Sequence, residues 1–156
     1  MKKITIKCHT LVKGIAQGEA LVSNQPISLW GGLDPRTGLI IDRRHELCGK
    51  DISGKVLIFP YGAGSCSSSA VLLEASRCDK APSAIVNLET DPIIAIGAIL
   101  ADKMYGKIIP IVDKPEKNPF KMVKTDDFVR VDANAGKIEV LRKVHLRKET
   151  FSQNCG

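Results

Sequence analysis

The chain has 156 residues, of which 44% are hydrophobic and 26% are charged. These proportions are typical of a folded domain with one core and exclude a disordered or fibrous chain. No apolar run approaches the roughly 20 residues that a membrane-spanning helix requires, and no apolar stretch follows the lysines at positions 2 and 3. We therefore expect neither membrane association nor a signal peptide, and a cytoplasmic protein.

The formal net charge is +6, and most of the excess lies near the end of the chain. Residues 114–148 hold ten Lys or Arg and five Asp or Glu. The chain has one Trp, two Tyr and four Phe, and no basic stretch is interleaved with them, so no stacking surface for bases is expected. The charge therefore predicts a solvated face or a face that docks an acidic protein, and no nucleic-acid partner.

Cysteines occur five times, at positions 8, 48, 66, 78 and 155. No two lie within ten residues of each other, so the CxxC spacing of a metal site is absent. An odd number without a secretion signal favours reduced thiols over a disulfide framework. We expect no metal ligands in this chain, and any iron, sulfur or zinc ligands would come from another chain.

Short runs of β-branched and apolar residues, bounded by glycine, proline or aspartate, predict strands. The predicted strands occupy positions 4–7, 19–23, 39–42, 55–59, 84–88, 107–112, 129–132 and 137–141. The last two flank a turn-forming sequence and predict a closing hairpin over 128–141. The segment 114–120, with two prolines among charges, is predicted to be a surface loop.

Two helices are predicted, the first over about 67–77. The second has Asp91 as its N-cap, Pro92 at its first position and Gly106 as its stop. Its predicted apolar stripe consists of Ile93, Ile96, Gly97 and Leu100. Strand and helix alternate between residues 55 and 112, which predicts a single α/β domain with a mostly β outer layer and two main helices. The domain is expected over 1–148, followed by a flexible tail at 149–156.

The segment 59–70 links a predicted strand to a predicted helix and has no bulky side chain between Gly62 and Ala70. Glycines there allow a sharp turn, and free amides at the helix N-terminus attract an anion. The Gly-Lys-Ser/Thr of a phosphate-binding Walker loop is absent. Two interpretations remain open: Ser65 or Ser67 only caps the helix, or a serine acts as a base whose alkoxide is stabilised by those amides.

A second candidate segment, 26–38, contains the single tryptophan, three glycines and an Asp-Pro turn. Gly31 and Gly32 can bring the backbone close to a bound group, and Arg36 can pair with a carboxylate or phosphate. The alternative is a long surface loop whose Trp30 packs onto the core.

Several segments occur in the order found in one known family. They are GEALVS (18–23), PISLWGGLDP (26–35), GLIID (38–42), GKVLIFP (54–60), GAGSCSSS (62–69), APSAIV (81–86) and DPIIAIGA (91–98). Over about residues 12–113 the chain resembles the small subunit, or swivel domain, of the aconitase X group of hydro-lyases. The resemblance implies a β/β/α swivelling-domain fold docked against a large subunit, which carries the iron or iron–sulfur centre.

The resemblance also implies the reaction and the base. The family dehydrates small hydroxy acids: mevalonate 5-phosphate in two-subunit archaeal enzymes and cis-3-hydroxy-L-proline in fused bacterial ones. The serine that follows the glycine loop is the family's base and corresponds to Ser65. Family members often have Arg or Lys where this chain has Ala63, so a local cation is either missing or supplied by the large subunit.

The expected function is therefore that of a small catalytic subunit in a two-chain hydro-lyase, active only with its large subunit. Ser65 would remove a proton as an alkoxide, with backbone amides orienting a substrate oxyanion. The expected substrate-binding residues are Gly64, Cys66 and Ser67, with Gly31, Gly32 and Arg36 as further candidates. The alternative is a non-catalytic swivel or scaffold module of a multi-subunit complex.

Overall fold

Ten strands and three helices form the part of the chain that the computed structural model describes, residues 2–142. The strands are β1 (Lys2–Lys7), β2 (His9–Val12), β3 (Ile15–Val22), β4 (Leu33–Asp34), β5 (Leu39–Ile40), β6 (Val56–Phe59), β7 (Ala84–Asn87), β8 (Ile111–Asp113), β9 (Phe128–Asp132) and β10 (Lys137–Arg142). The helices are α1 (Ser68–Arg77), α2 (Pro92–Tyr105) and α3 (Pro119–Met122). None of these helices is long and apolar enough to cross a membrane.

Eight strands form one sheet in the order β1-β10-β9-β3-β6-β7-β8-β2. The two edge strands, β1 and β2, are not paired with each other, but Cys8 alone separates them along the chain, so the two edges of the sheet meet there. Strand β3 pairs antiparallel with β9 through residues 15–19 and parallel with β6 through residues 20–22. Strands β3, β6, β7 and β8 run parallel, and α1 and α2 form the crossovers β6-α1-β7 and β7-α2-β8. β4 and β5 form a separate small ribbon.

Alternate side chains of the parallel strands enter two different cores. Val56 and Ile58 belong to a cluster with residues of β9 and β10, on one face of the sheet. Leu57 and Phe59 belong to a second cluster, which includes residues of α1, α2 and the loops after β3. Because successive residues of a strand point to opposite faces, β6 is buried on both sides. This two-core arrangement is the expected β/β/α architecture.

Helix α2 has the predicted ends. The Asp91 carboxylate accepts the Ile93 amide at 2.9 Å, Pro92 occupies the first position, and Gly106 ends the helix in a left-handed conformation with φ 64°. The prediction that Ile93, Ile96, Gly97 and Leu100 form the buried face of this helix is wrong. The buried residues are Ile94, Gly97, Ala98 and Ala101, because small residues let α2 approach α1 closely.

The strand and helix predictions are correct except at particular positions. The predicted strand 107–112 starts only at Ile111, since Lys107 and Ile108 are exposed after the helix stop and Pro110 lacks an amide hydrogen. The predicted strand 39–42 shortens to β5 and the predicted strand 19–23 extends back to Ile15.

Strands β2 and β4 were not predicted. The predicted loop 114–120 runs into α3, capped by Asn118. The hairpin of β9 and β10 is confirmed, and the predicted tail at 149–156 lies outside the described residues.

Candidate active site

Three loops meet at the carboxyl edge of the parallel strands. They follow β3, β6 and β7 and span residues 23–32, 60–67 and 88–91. Because carboxyl ends of neighbouring parallel strands lie at one edge, this is where an α/β sheet places a ligand crevice. Both segments singled out in the sequence, the glycine loop and the Trp30 loop, lie here.

The glycine loop turns sharply into α1 at Gly64. Gly64 has φ +89°, and a Cβ built there would lie 2.4 Å from the Ser28 hydroxyl oxygen. Ser65 follows, half-buried, and its hydroxyl oxygen accepts the Ser67 amide at 3.1 Å. Ser67 is the N-cap residue by position, yet its own side chain makes no capping bond. The local capping of α1 is therefore performed by Ser65.

Three consecutive amides precede the helix without a hydrogen-bond acceptor. Within residues 2–142, the N–H groups of Gly64, Ser65 and Cys66 donate to no protein atom. They lie next to the positive end of the α1 dipole, which favours a negatively charged group. The Ser67 amide is already used by the Ser65 hydroxyl, so the three preceding amides are the ones available to a ligand.

The Trp30 loop is hydrogen-bonded to the glycine loop on both sides of Gly64. The Ala63 amide donates to the Ile27 carbonyl at 3.0 Å, and the Ile27 amide donates to the Tyr61 carbonyl at 3.3 Å. Further along, the Trp30 amide donates to the buried Ser68 hydroxyl at 3.2 Å. The two loops therefore form one unit. Trp30 itself is exposed, so the alternative in which it packs onto the core is wrong.

The further candidates lie at different distances from this turn. Gly32 is buried, and a Cβ there would lie 2.1 Å from the Ser28 carbonyl, so its small size serves the loop's own turn. Gly31 is exposed and has open space around it. The exposed Arg36 lies near enough to Glu74 to lower the pKa of that carboxyl, after the larger effect of Arg77. Glu74 lies in the second half of α1, away from the helix N-terminus.

A buried polar network supports the loop after β7. The Asn87 side-chain amide donates to the Phe59 carbonyl at 3.0 Å, and the Thr90 hydroxyl donates to the Asn87 side-chain oxygen at 3.2 Å. Asp113, at the end of β8, accepts the Thr90 amide at 3.0 Å, and its other oxygen lies 2.9 Å from His9 Nδ1. These bonds fix the backbone on which Asp91 begins α2.

A shallow cleft of about 300 Å³ lies beside the glycine loop, between the β6 and β7 loops. It is lined by Tyr61, Gly62, Glu89, Thr90, Asp91 and Pro92. None of these lining residues is basic, and two are acidic. The side chains of Trp30, Tyr61 and Leu88 are exposed on the same three loops and form an apolar rim.

The described residues offer no ligand set for a metal. No group of three or more His, Cys, Asp or Glu side chains comes together within residues 2–142. The four described cysteines are free thiols. Burial and the charges of Asp113 and Glu116 raise the pKa of Cys8 to about 11, so this thiol is protonated at neutral pH. An iron centre does not fit this part of the chain.

Sequence reasoning missed Ser28 and the cleft residues Glu89 and Thr90. Ser28 lies between the buried Ile27 and Leu29, and this isolated polar residue in an apolar run is a signal for a side chain that faces a different surface. Glu89 and Thr90 carried no comparable signal, because their position depends on the network around Asp113.

The comparisons with known proteins agree with this architecture. Residues 5–140 match the family model of the aconitase X swivel domain. The crystal structure of Thermococcus kodakaraensis aconitase X in its holo-form superposes with a TM-score of 0.80 at 40% identity, covering 89% of this chain and 99% of that one.

Two named relatives represent two arrangements of the domain. The phosphomevalonate dehydratase small subunit of Methanosarcina mazei is 45% identical over 143 residues, covering 92% of this chain and 95% of that protein. The cis-3-hydroxy-L-proline dehydratase of Pseudomonas aeruginosa is 47% identical over 103 residues, which are 66% of this chain and only 18% of that protein. With the family model matched over nearly the whole described chain, this protein belongs to the aconitase X swivel-domain family.

Proposed function

We propose that this chain is the small catalytic subunit of a two-chain dehydratase, in which Ser65 acts as the general base on a β-hydroxy acid. The observation that supports it most is the geometry of Ser65. Its hydroxyl oxygen accepts the Ser67 amide and lies beside three amides that have no acceptor within residues 2–142. An alkoxide at this position is stabilised by that donor and by the helix dipole.

The two acids named for the relatives share one chemistry. In both, the hydroxyl group is on the carbon β to the carboxylate, and the hydrogen to be removed is on the α carbon. The Ser65 alkoxide takes the α proton, the C–H electron pair forms the new C=C bond, and the β C–O bond breaks to release hydroxide, which becomes water by taking a proton from solvent. The amides of Gly64 and Cys66 orient a substrate oxygen beside the base, and Ser65 returns its proton to solvent.

The site in this chain is incomplete for an anionic substrate. The cleft is lined by two acidic residues and no basic one, and Ala63 occupies the loop position where a cation was expected. The large subunit therefore supplies the positive charge, and it holds the iron or iron–sulfur centre, for which the described residues have no ligands. The isolated small subunit is expected to be inactive.

Mevalonate 5-phosphate is the proposed substrate. The phosphomevalonate dehydratase small subunit of Methanosarcina mazei matches this chain over 95% of its own length. The match to the cis-3-hydroxy-L-proline dehydratase covers only 18% of that longer protein. The second candidate is cis-3-hydroxy-L-proline, favoured by the higher identity of 47% within its matched segment.

The test is reconstitution with the large subunit of the same organism. The two chains are co-expressed, purified without oxygen and incubated with each acid separately, and the dehydrated product is measured by mass spectrometry. Each chain alone is the control. Turnover of mevalonate 5-phosphate by the complex and by neither chain alone is the expected result. Preferential turnover of the hydroxyproline would replace the substrate proposal, and a complex inactive on both acids would contradict the proposed reaction.

A further inference from the structure

One face of α2 presents large apolar side chains to solvent. Ile96, Ile99, Leu100 and Met104 are 50%, 48%, 37% and 59% exposed. At 100° per residue these four lie within one side of the helix, opposite the small residues that pack against α1. We call these four residues the α2 stripe. Water covers it in the isolated chain, although apolar helix faces of this kind are normally buried.

Further large apolar side chains are exposed on the loops at the carboxyl edge. The carboxyl-edge rim of Trp30, Tyr61 and Leu88 is 58%, 50% and 40% exposed. Large exposed apolar side chains grouped on one helix face and its adjoining loops are typical of a surface that a partner covers.

The α2 stripe and the candidate site are parts of one surface. Tyr61 of the rim lines the same cleft as Asp91 and Pro92, at which α2 begins. The stripe starts one turn further along the helix, at Ile96. A partner that contacts the rim and completes the site therefore continues along α2.

The charged side chains at the site end of this surface indicate what kind of partner fits it. The site end has two carboxylates, Glu89 and Asp91, and the cleft there contains no basic residue. The far end of α2 has the exposed Asp102 and Lys103, whose charges offset each other, beside Met104. A partner with basic groups near the site and an apolar surface behind them matches both features, and basic groups at the site are what an anionic substrate needs.

We propose that the α2 stripe is part of the docking surface for the large subunit, which continues from the cleft beside the glycine loop, where Tyr61 lies next to the start of α2. This inference rests on the proposed function, since it takes the large subunit as the occupant. The Pseudomonas aeruginosa relative is consistent with it, because there the matched segment is 18% of one longer protein. A second copy of this chain is the competing occupant.

The experiment measures binding of the large subunit to the full-length small subunit by calorimetry. The stripe variant is Ile96→Lys with Leu100→Lys, and the matched control is Ile15→Lys on β3, where an isoleucine is also 50% exposed. Replacing exposed side chains leaves the isolated chain folded, which circular dichroism verifies. We expect the stripe variant to weaken binding at least 100-fold and the control to change it less than threefold.

The outcomes separate this inference from the proposed function. If the parent chain binds the large subunit and dehydrates the substrate while the stripe variant binds equally well, the stripe inference is overturned and the proposed function stands. If the parent complex forms, loses affinity in the stripe variant and turns over neither acid, the stripe inference stands and the proposed function fails. If light scattering shows a parent dimer that the stripe variant dissociates, with large-subunit binding unchanged, the occupant is a second copy and the inference is wrong.

Discussion

Replacing Ser65 with alanine tests the proposed base directly. We expect this substitution to affect folding little, because the hydroxyl of the half-buried Ser65 makes one local hydrogen bond, accepted from the Ser67 amide at 3.1 Å. Losing one such bond costs about 0.5–1.5 kcal/mol of unfolding free energy. Losing a general base costs about 10²–10⁴ in rate. Activity is therefore expected to fall far more than stability.

Ser69→Ala is the matched control. Ser69 is also half-buried in the first turn region of α1, and its hydroxyl donates one local bond, to the Cys66 carbonyl at 3.0 Å. Both variants lose one hydrogen bond at the same helix end, so both should lower the melting temperature by a few degrees. Only Ser65→Ala should abolish dehydration by the complex with the large subunit.

The assay is the steady-state rate of the purified complex, with binding of the large subunit measured in parallel. A Ser65→Ala complex that keeps more than a tenth of the parental kcat would refute the role of Ser65 as base and leave it as the residue that caps α1. Equal losses of kcat in Ser65→Ala and Ser69→Ala would refute it too, because the common effect would then be the helix end. Either conclusion requires that both variants still bind the large subunit as the parent chain does.

Two further predictions concern the loop and the buried thiol. Gly64→Ala should lower the unfolding free energy by about 2–4 kcal/mol, because Gly64 has a left-handed backbone and the new Cβ collides with the Ser28 hydroxyl. The control is Gly49→Ala, where φ is +83° but the space around the residue is open; it should lower the unfolding free energy by only about 1–2 kcal/mol. Adding Ser28→Ala to Gly64→Ala should recover part of the loss, and equal melting temperatures for the two glycine variants would contradict the packing. Because the pKa of Cys8 is raised to about 11, its thiolate is scarce at pH 8, and peptide mapping after alkylation should show Cys8 labelled at least about tenfold more slowly than the exposed Cys48.

The parts of the fold that follow from local chemistry could be predicted. Asp91, Pro92 and Gly106 define both ends of α2 through hydrogen bonds and backbone conformations within a few residues. The closing hairpin follows in the same way from a four-residue turn between two alternating strands. In these elements the partner of each backbone group is close along the chain, so the sequence contains the needed information.

Other parts depend on partners far along the chain. Strand β2 was missed because His9–Val12 is short and its pairing partner is β8, a hundred residues later. The contact of Gly64 with Ser28 joins two loops 36 positions apart, and the segments could be named as candidates without knowing that they touch. The resemblance to the family supplied what local chemistry could not, namely the role expected for Ser65.

The buried face of α2 shows where local pattern and tertiary structure diverge. By periodicity, the large residues Ile93, Ile96 and Leu100 form a plausible core stripe, and the small residues are expected to allow close packing against a sheet. The helix instead buries Gly97 against α1, where a Cβ would lie 2.9 Å from the Ser69 carbonyl oxygen. Close packing against α1 requires small residues on that face, where Ile94 is the large exception, so Ile96, Ile99 and Leu100 lie on the exposed side. In the docking that we propose, the large subunit removes the apolar side chains of Ile96, Ile99 and Leu100 from water, a gain in free energy that the isolated chain lacks.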